Sequence, residues 1–178
     1  IKGTVEGRVT IKGKLFLGSN SIIRSGCYVE GPVYIDDGCV VGPNAYIRPY
    51  TTIGRGCRVG NAVEIKNSLI MKNTKIPHLS YVGDSIIGRN CNLGAGTKVG
   101  NVRLDKGIIK MRINKNLMDT GMQKLGCVVG DNVKTGLNVM INSGRKISQD
   151  ASIGPGVIVY KDIKSKSTIL NKQELETR

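Results

Sequence analysis

The chain has 178 residues, enough for one domain, and its 27 Lys and Arg against 13 Asp and Glu give a formal net charge of +14. Aromatic residues make up 4% of it, with no Trp and a single Phe, which excludes a core of large rings, and its 24 glycines follow no G-X-Y period, which excludes a collagen-like chain. No apolar run approaches the roughly 20 residues that span a membrane and no signal peptide is recognisable, so we expect no membrane partner.

The excess of positive charge favours an anionic partner. A nucleic-acid site would show a basic run interleaved with aromatic side chains, whereas the Lys and Arg residues here are dispersed. We therefore expect a phosphorylated small molecule and no nucleic acid. The chain opens at Ile1 and not at Met, so we also expect it to be a fragment of a longer protein.

Aliphatic residues recur at every sixth position, which we call the inward repeat positions. The series runs over 5–65, resumes after a five-residue step over 70–82, and after another over 87–99. It returns over 129–159, where Thr135 is its single polar member. A period of six fits a short strand and a corner, and three such units close a coil of about eighteen residues. The sequence therefore predicts an all-β fold, a parallel β-helix of seven to eight coils, and hexapeptide repeats of this kind are typical of the left-handed form.

The five cysteines share one place in the repeat, two residues before an inward position. We interpret them as small buried side chains, because no CxxC pair occurs and their spacing is that of the repeat and not of a metal site. Free thiols are typical of a reducing compartment. We therefore expect no metal, no disulfide framework and a cytoplasmic protein.

The repeat is lost in two places. Segment 101–126 is too long for a corner, so we expect a loop that projects from the coil and carries a basic set of side chains. Residues 161–178 lose the period, and we expect them to form a C-terminal cap or tail, with a helix over 171–178. The predicted β-helix domain is thus 1–160.

Three residues stand out for chemistry. His78 is the single histidine, so a three-histidine zinc site within one chain is excluded. The coil register predicts that it stacks between Asn61 and Ala95. Arg48 and Lys66 lie eighteen residues apart, so we expect them to stack on one corner, where two cations repel each other unless an anion binds beside them. This spacing is equally that of ordinary surface residues.

The residues of three segments resemble a known family. AYIRP at 45–49, GNAVEIKNS at 60–68 and KIPHLSYVGDSIIGRNCNLGAGT at 75–97, together with Asn101, are similar to the acetyltransferase domain of the bifunctional sugar-1-phosphate nucleotidylyltransferases and glucosamine-1-phosphate N-acetyltransferases, archaeal type. The resemblance covers about residues 20–160. It implies a left-handed β-helix that forms a homotrimer, with sites between subunits and acetyl-CoA as co-substrate.

The resemblance also implies roles for substrate-side residues. His78 matches the general base that takes a proton from the C2 amine of an amino sugar 1-phosphate, a role for which imidazole is suited. Arg48 and Lys66 match residues that bind the sugar 1-phosphate. Tyr81 and Asn92 match sugar-contacting positions.

On the donor side the resemblance is less complete. Ala95 matches the position where the thioester approaches the backbone, and Asn101 a position near the acetyl-CoA sulfur. Lys110, in the projecting loop, is expected to reach the reaction centre or the CoA phosphates. Leu137 and Pro155 stand where the bacterial members carry serine and alanine, so the CoA tail contacts and the choice of glucosamine or galactosamine 1-phosphate stay open. The nucleotidylyltransferase half, which would use Mg²⁺, is absent from this chain.

Two other functions fit the same fold. The first is a non-catalytic β-helical tail that serves a nucleotidylyltransferase half by oligomerising. The second is an O-acetyltransferase, which would want a carboxylate to orient the histidine, and Asp84 is the only acid near His78 in the sequence. The sequence favours N-acetylation over both.

Overall fold

The computed structural model describes residues 1–172 and shows a chain of short strands. No helix in this described part has the length and apolarity needed to cross a membrane. In chain order, the strands are β1 (Thr4–Val5), β2 (Thr10–Lys12), β3 (Leu15–Leu17), β4 (Ile22–Ile23), β5 (Tyr28–Glu30), β6 (Val33–Ile35), β7 (Val40–Val41), β8 (Tyr46–Ile47), β9 (Thr51–Ile53), β10 (Arg58–Asn61), β11 (Glu64–Lys66), β12 (Leu69–Ile70), β13 (Lys75–His78), β14 (Tyr81–Gly83), β15 (Ile86–Ile87), β16 (Lys98–Val99), β17 (Lys110–Ile113), β18 (Asn116–Asp119), β19 (Cys127–Val129), β20 (Lys134–Thr135), β21 (Met140–Ile141), β22 (Arg145–Ile147), β23 (Ser152–Ile153), β24 (Ile158–Val159) and β25 (Thr168–Ile169).

The strands form the three faces of a prism. Face A has the order β1-β4-β7-β10-β13, followed by Asn92, which bridges Lys75 and Lys134, and then β20-β23-β25. Face B has the order β2-β5-β8-β11-β14-β16-β21-β24, and face C runs from β3 through β6, β9, β12, β15 and β19 to β22. All pairs on these faces are parallel, so each strand lies beside its equivalent one coil on. This confirms the predicted all-β parallel β-helix, and face A with its nine levels makes it slightly longer than expected.

The inward repeat positions form the core. From Leu17 to Val159 each of them is buried, including Thr135. Full burial of one such aliphatic side chain is worth about 1.5–3 kcal/mol, and stacked aliphatic side chains fill the prism without large rings. The core therefore follows directly from the six-residue period.

The cysteines also lie inside, as predicted. All five are free and buried. Burial raises the pKa of each thiol, to about 12 for Cys57 and Cys127. They serve as small core residues and not as nucleophiles.

The five-residue steps shorten two coils on all three faces. Val59 pairs with Ile76, Ile65 with Val82, and Ile70 with Ile87, seventeen residues apart in each case. One residue is lost at a corner and not from a strand, so the inward positions stay in line.

The expected projecting loop contains an antiparallel hairpin. Strands β17 and β18 pair from Lys110 with Asp119 to Ile113 with Asn116. Its base is attached to the coil, where Ile109 is buried and the Gly126 N–H donates to the Asp84 carbonyl at 2.8 Å. The segment thus leaves and re-enters the prism at the corner between faces B and C.

The C-terminal segment differs from the expected cap. Within 161–172, Ile163 bridges to Ile147, and β25 pairs with β23, so the coil continues past residue 160. Ile153 pairs with Ile169, only sixteen residues on. Because this corner is shorter, a search for aliphatic residues at every sixth position does not detect the repeat here. The helix expected over 171–178 lies largely outside the described residues.

Candidate active site

His78 lies at the corner between faces A and B. It ends β13, where it pairs with Asn61 of β10, as predicted. Its carbonyl accepts the Ser80 hydroxyl at 2.7 Å and the Gly96 N–H at 3.4 Å, so Ala95 lies on the next coil. The side chain is exposed, and within residues 1–172 no hydrogen-bond partner holds the imidazole. The corner therefore presents a free imidazole on a fixed backbone.

Neighbouring residues shape this corner. The Leu79 N–H donates to the Asn61 carbonyl at 3.0 Å, and Leu79 has a φ of 47°. Gly60 lies on the coil below, and the Pro77 carbonyl fills the space that a side chain at Gly60 would need. A larger residue there would push the strand that carries His78 outward.

Arg48 and Lys66 lie at the opposite edge of face B, each already paired with a carboxylate. Arg48 Nη1 lies 2.9 Å from Glu64 Oε1, and Lys66 Nζ lies 3.2 Å from Asp84 Oδ2. The two cations share an edge as predicted, but the anions that offset their repulsion belong to the chain itself. The Arg48 Nε is buried without a hydrogen-bond partner.

Asp84 organises this edge. From the sequence it was expected only as a possible partner for His78. Its carboxylate accepts hydrogen bonds from Asn67 Nδ2 at 2.8 Å, Lys66 Nζ at 3.2 Å and Asn101 Nδ2 at 2.5 Å. Burial acts to raise the pKa of Asp84, but the hydrogen bonds from Asn67, Asn101 and Lys66 outweigh it, and the net pKa lies below the ordinary carboxyl value. Asp84 is therefore an anion that holds three donors and does not orient the imidazole.

Tyr81 joins the same network from face B. Its hydroxyl accepts Asn101 Nδ2 at 3.1 Å, so Asn101 contacts both Tyr81 and Asp84. The pKa of Tyr81 is raised, chiefly by burial and then by the charge of Asp84. The phenol thus stays protonated and can donate to a ligand.

The structure does not bring the remaining predicted residues into this cluster. Asn92 lies on face A between Lys75 and Lys134. Lys110 is exposed on β17, and its carbonyl lies 3.5 Å from Arg145 Nη2, toward the C-terminal coils. Within the described residues no group of three His, Cys, Asp or Glu side chains could bind a metal ion.

These features define a hexapeptide-repeat β-helix with a polar site along both edges of one face. The family described as the GMPPB C-terminal domain matches residues 29–145, and the chain belongs to this family.

Curated relatives confirm the resemblance found in the sequence. A bifunctional sugar-1-phosphate nucleotidylyltransferase/acetyltransferase of Sulfurisphaera tokodaii is 47% identical over 161 residues, which is 90% of this chain and 40% of that protein. A bifunctional protein GlmU of Methanococcus maripaludis is 51% identical over 175 residues, 98% of this chain and 42% of that protein. The chain thus spans about two fifths of the length of these relatives.

Among solved structures, a UDP-N-acetylglucosamine acyltransferase of Francisella novicida matches 95% of this chain and 66% of its own, at 17% identity and a TM-score of 0.43.

Proposed function

We propose that this domain N-acetylates an amino sugar 1-phosphate with acetyl-CoA as co-substrate. Glucosamine 1-phosphate is the expected acceptor and galactosamine 1-phosphate a second one, and the parent protein would carry a nucleotidylyltransferase half that uses Mg²⁺. The names and identities of the relatives support this. The observation that carries it is the free imidazole of His78 on the face that also bears the Lys66, Asp84, Asn101 and Tyr81 network.

The proposed chemistry needs one base. The amine nitrogen of the sugar attacks the thioester carbonyl carbon, His78 takes a proton from that nitrogen, and the carbon–sulfur bond breaks to release the thiol of CoA. An imidazole without a hydrogen-bond partner can accept this proton and return it to the leaving sulfur. The exposed corner leaves room for both substrates.

The paired cations can still bind phosphate. A lysine ammonium has three N–H donors and an arginine guanidinium has five. Asp84 holds Lys66 in place, and Glu64 takes one terminal nitrogen of Arg48 and leaves the other, Nη2, to donate. The carboxylates therefore fix the direction of the two side chains and leave donors for the phosphate oxygens.

The donor side depends on the corner above His78. Ala95 is small enough to let the thioester approach the backbone, where an N–H would stabilise the oxyanion. Asn101, which Asp84 holds at the opposite edge of face B, would reach the sulfur of an acyl donor bound at the His78 corner of a neighbouring copy. Lys110 remains a proposed contact of the CoA phosphates.

The site is proposed to act in a homotrimer in the cytoplasm, with small molecules as its other partners. His78 and the Lys66 edge lie on opposite sides of face B in one chain. A neighbouring copy that packs against face C would lie beside the Lys66 edge, at the corner between faces B and C, and would complete the walls of the site.

The first test is the release of CoA thiol from acetyl-CoA with glucosamine 1-phosphate and galactosamine 1-phosphate in parallel. His78→Ala is expected to lower kcat by at least a hundredfold, the usual worth of a general base. Leu79→Ala, at the neighbouring exposed residue, is expected to keep the activity. Equal activity of the wild type and His78→Ala would refute the role of the base.

A second test concerns the phosphate contact. Lys66→Ala is expected to raise the KM for the sugar phosphate at least tenfold and to leave the KM for acetyl-CoA within twofold. A charge-assisted hydrogen bond to phosphate is made to only one of the two substrates. Equal changes in both KM values would show that Lys66 acts on the fold and not on the phosphate.

A non-catalytic oligomerising tail is the second candidate. It is favoured by the pairing of Arg48 and Lys66 with carboxylates, which a purely structural edge would also show. A verified trimer that releases no CoA with either amino sugar phosphate would support the tail.

A further inference from the structure

A basic hollow lies against the last coils, at face C and the corners on either side of it. Its volume is about 460 Å³. Its lining consists of Arg112, Arg145, Lys146, Ser148, Lys161, Asp162, Ile163 and Lys164. Ile86 lies on face C just after Asp84 in the chain. Lys146 of β22 lies two coils beyond Ile86, about 10 Å along the axis. Face C does not adjoin the corner that carries His78, so the hollow is separate from the base.

Charge in the basic hollow is not balanced by the described residues. Five cations line it, and Asp162 is the one carboxylate among the lining residues. Asp162 accepts the Lys146 backbone N–H at 2.9 Å and lies 4.0 Å from Lys146 Nζ. Arg89, by contrast, pairs with Asp131 at 2.7 Å elsewhere on the coil. A bound anion would offset the remaining repulsion in the hollow.

Backbone carbonyls hold Arg145 in position. Its Nε donates to the Ser143 carbonyl at 3.2 Å. Its Nη1 and Nη2 donate to the carbonyls of Tyr160 and Lys110, at 3.4 and 3.5 Å. These contacts orient the guanidinium but leave its charge intact, since no carboxylate takes part.

Arg112 reaches the basic hollow from the hairpin, and a backbone carbonyl holds its guanidinium as well. Its Nη1 donates to the Lys115 carbonyl at 2.7 Å, within the turn of the hairpin. The hairpin and the coil thus each contribute a guanidinium held by carbonyls. Arg145 also lines a second hollow, together with Arg103 and Tyr160.

We propose that the basic hollow binds a small anion with two or more phosphate groups. Guanidinium groups recognise phosphate through paired N–H donors, and lysine ammonium groups add charge. The volume suits a small molecule, and the concave shape is unlike the extended strip that a nucleic-acid backbone needs. The ligand is recognised by its phosphate groups, whatever molecule carries them.

The proposed anion site does not depend on the proposed acetylation. Its residues do not contact the Lys66 network, and binding is measured without turnover. His78→Ala is therefore expected to bind the anion like the wild type, whatever the outcome of the activity assay.

Titration calorimetry of the intact chain with inorganic diphosphate, at low salt, tests the proposal. We expect saturable binding, with one anion per chain once Lys66→Ala has removed the proposed sugar-phosphate contact. Arg145→Gln should weaken it at least tenfold, and Lys164→Gln at least threefold. Arg58→Gln removes the same charge from an exposed position on face A and should change the affinity less than twofold.

The competitors identify the source of the phosphates. If CoA displaces the diphosphate, the site binds the phosphate end of the acyl donor. If CoA does not displace it, the site binds a separate anion. Both results support the site. Absence of saturable binding to folded protein, or equal weakening by Arg145→Gln and Arg58→Gln, would overturn it. Tight binding of duplex DNA that diphosphate does not displace would also overturn it.

Discussion

At the scale of single residues, Asp84 decides the shape of the proposed substrate edge. One carboxylate holds an ammonium and two amides. In Asp84→Asn, the new amide would bring a donor against Asn101 or Lys66. We expect a loss of about 1–3 kcal/mol in the free energy of unfolding at pH 7 and a lower kcat.

The pH dependence of this loss has a definite sign. Because the pKa of Asp84 is lowered in the folded protein, its stabilisation is complete above the ordinary carboxyl pKa of about 3.9. It disappears as the pH falls through the lowered value. Urea unfolding should therefore show a gap between wild type and Asp84→Asn that is wide at pH 7 and shrinks progressively as the pH falls below the ordinary carboxyl pKa. Asp119→Asn, in the exposed hairpin, serves as the control, and a gap independent of pH would contradict the assignment.

The buried cysteines allow a second measurement at this scale. With a pKa of about 12 for Cys57 and Cys127, about one thiol in ten thousand is ionised at pH 8. We expect no reaction of the five cysteines with a thiol reagent in the native protein and five equivalents after denaturation. Rapid modification of the native chain would show that the coil opens.

At the scale of elements, the corner between faces C and A carries a ladder of side chains. Asn73 donates to Asn90 at 3.3 Å, Asn90 to Asn132 at 3.2 Å, and Asn132 to Asp150 at 2.9 Å. Each has a φ near 60°, a conformation that asparagine tolerates better than most residues. The ladder joins four coils where the chain turns.

Substitution of Asn90 separates the two contributions. Asn90→Ala loses the ladder bonds and adds left-handed strain, so we expect a loss of about 1–3 kcal/mol in the free energy of unfolding. Asn90→Gly loses the bonds without the strain and should cost less. Urea unfolding of both variants gives the comparison; a larger loss for glycine than for alanine would contradict the role of the backbone conformation.

The same elements show how far the sequence could predict the structure. The six-residue period predicted the core, the cysteine positions and the stacking of His78 with Asn61, because each depends only on spacing. The hairpin was not predicted, since its turn, Asn114 and Lys115 with φ of 45° and 71°, lacks the glycine that usually marks such turns.

The hydrogen-bond network of Asp84 could not be predicted from the sequence, for a different reason. Lys66 pairs with Gly83 because the coil has seventeen residues. Asp84 then falls one place further, with a φ of 51°, from where its carboxylate reaches back to Lys66. A count of eighteen from Lys66 does reach Asp84, but it cannot show the left-handed corner conformation that turns the Asp84 carboxylate toward Lys66.

At the scale of the whole molecule, the charge is unevenly spread. The outward column of face C is uncharged over six coils, from Phe16 through Tyr34, Thr52, Leu69 and Ile86 to Val128. Phe16 and Tyr34 stack with ring centroids 4.6 Å apart. The basic hollow begins only at the next level. In a chain with a net charge of +14, we propose that this column is where copies of the chain meet, because a contact there brings no like charges together.

Two acidic substitutions in this column test the proposed homotrimer. Leu69 and Ile86 are neighbours in register, and each is exposed in the single chain, by 38% and 41%. Leu69→Glu with Ile86→Glu would bury six carboxylates in the trimer without partners, so light scattering should show a shift from three chains to one, with an unchanged circular dichroism spectrum. Ser152→Glu with Thr168→Glu places the same charges in register on face A and should leave the trimer intact. If the face A pair dissociates the assembly and the face C pair does not, the chains meet through a different face; a wild-type chain that is monomeric would refute the trimer itself.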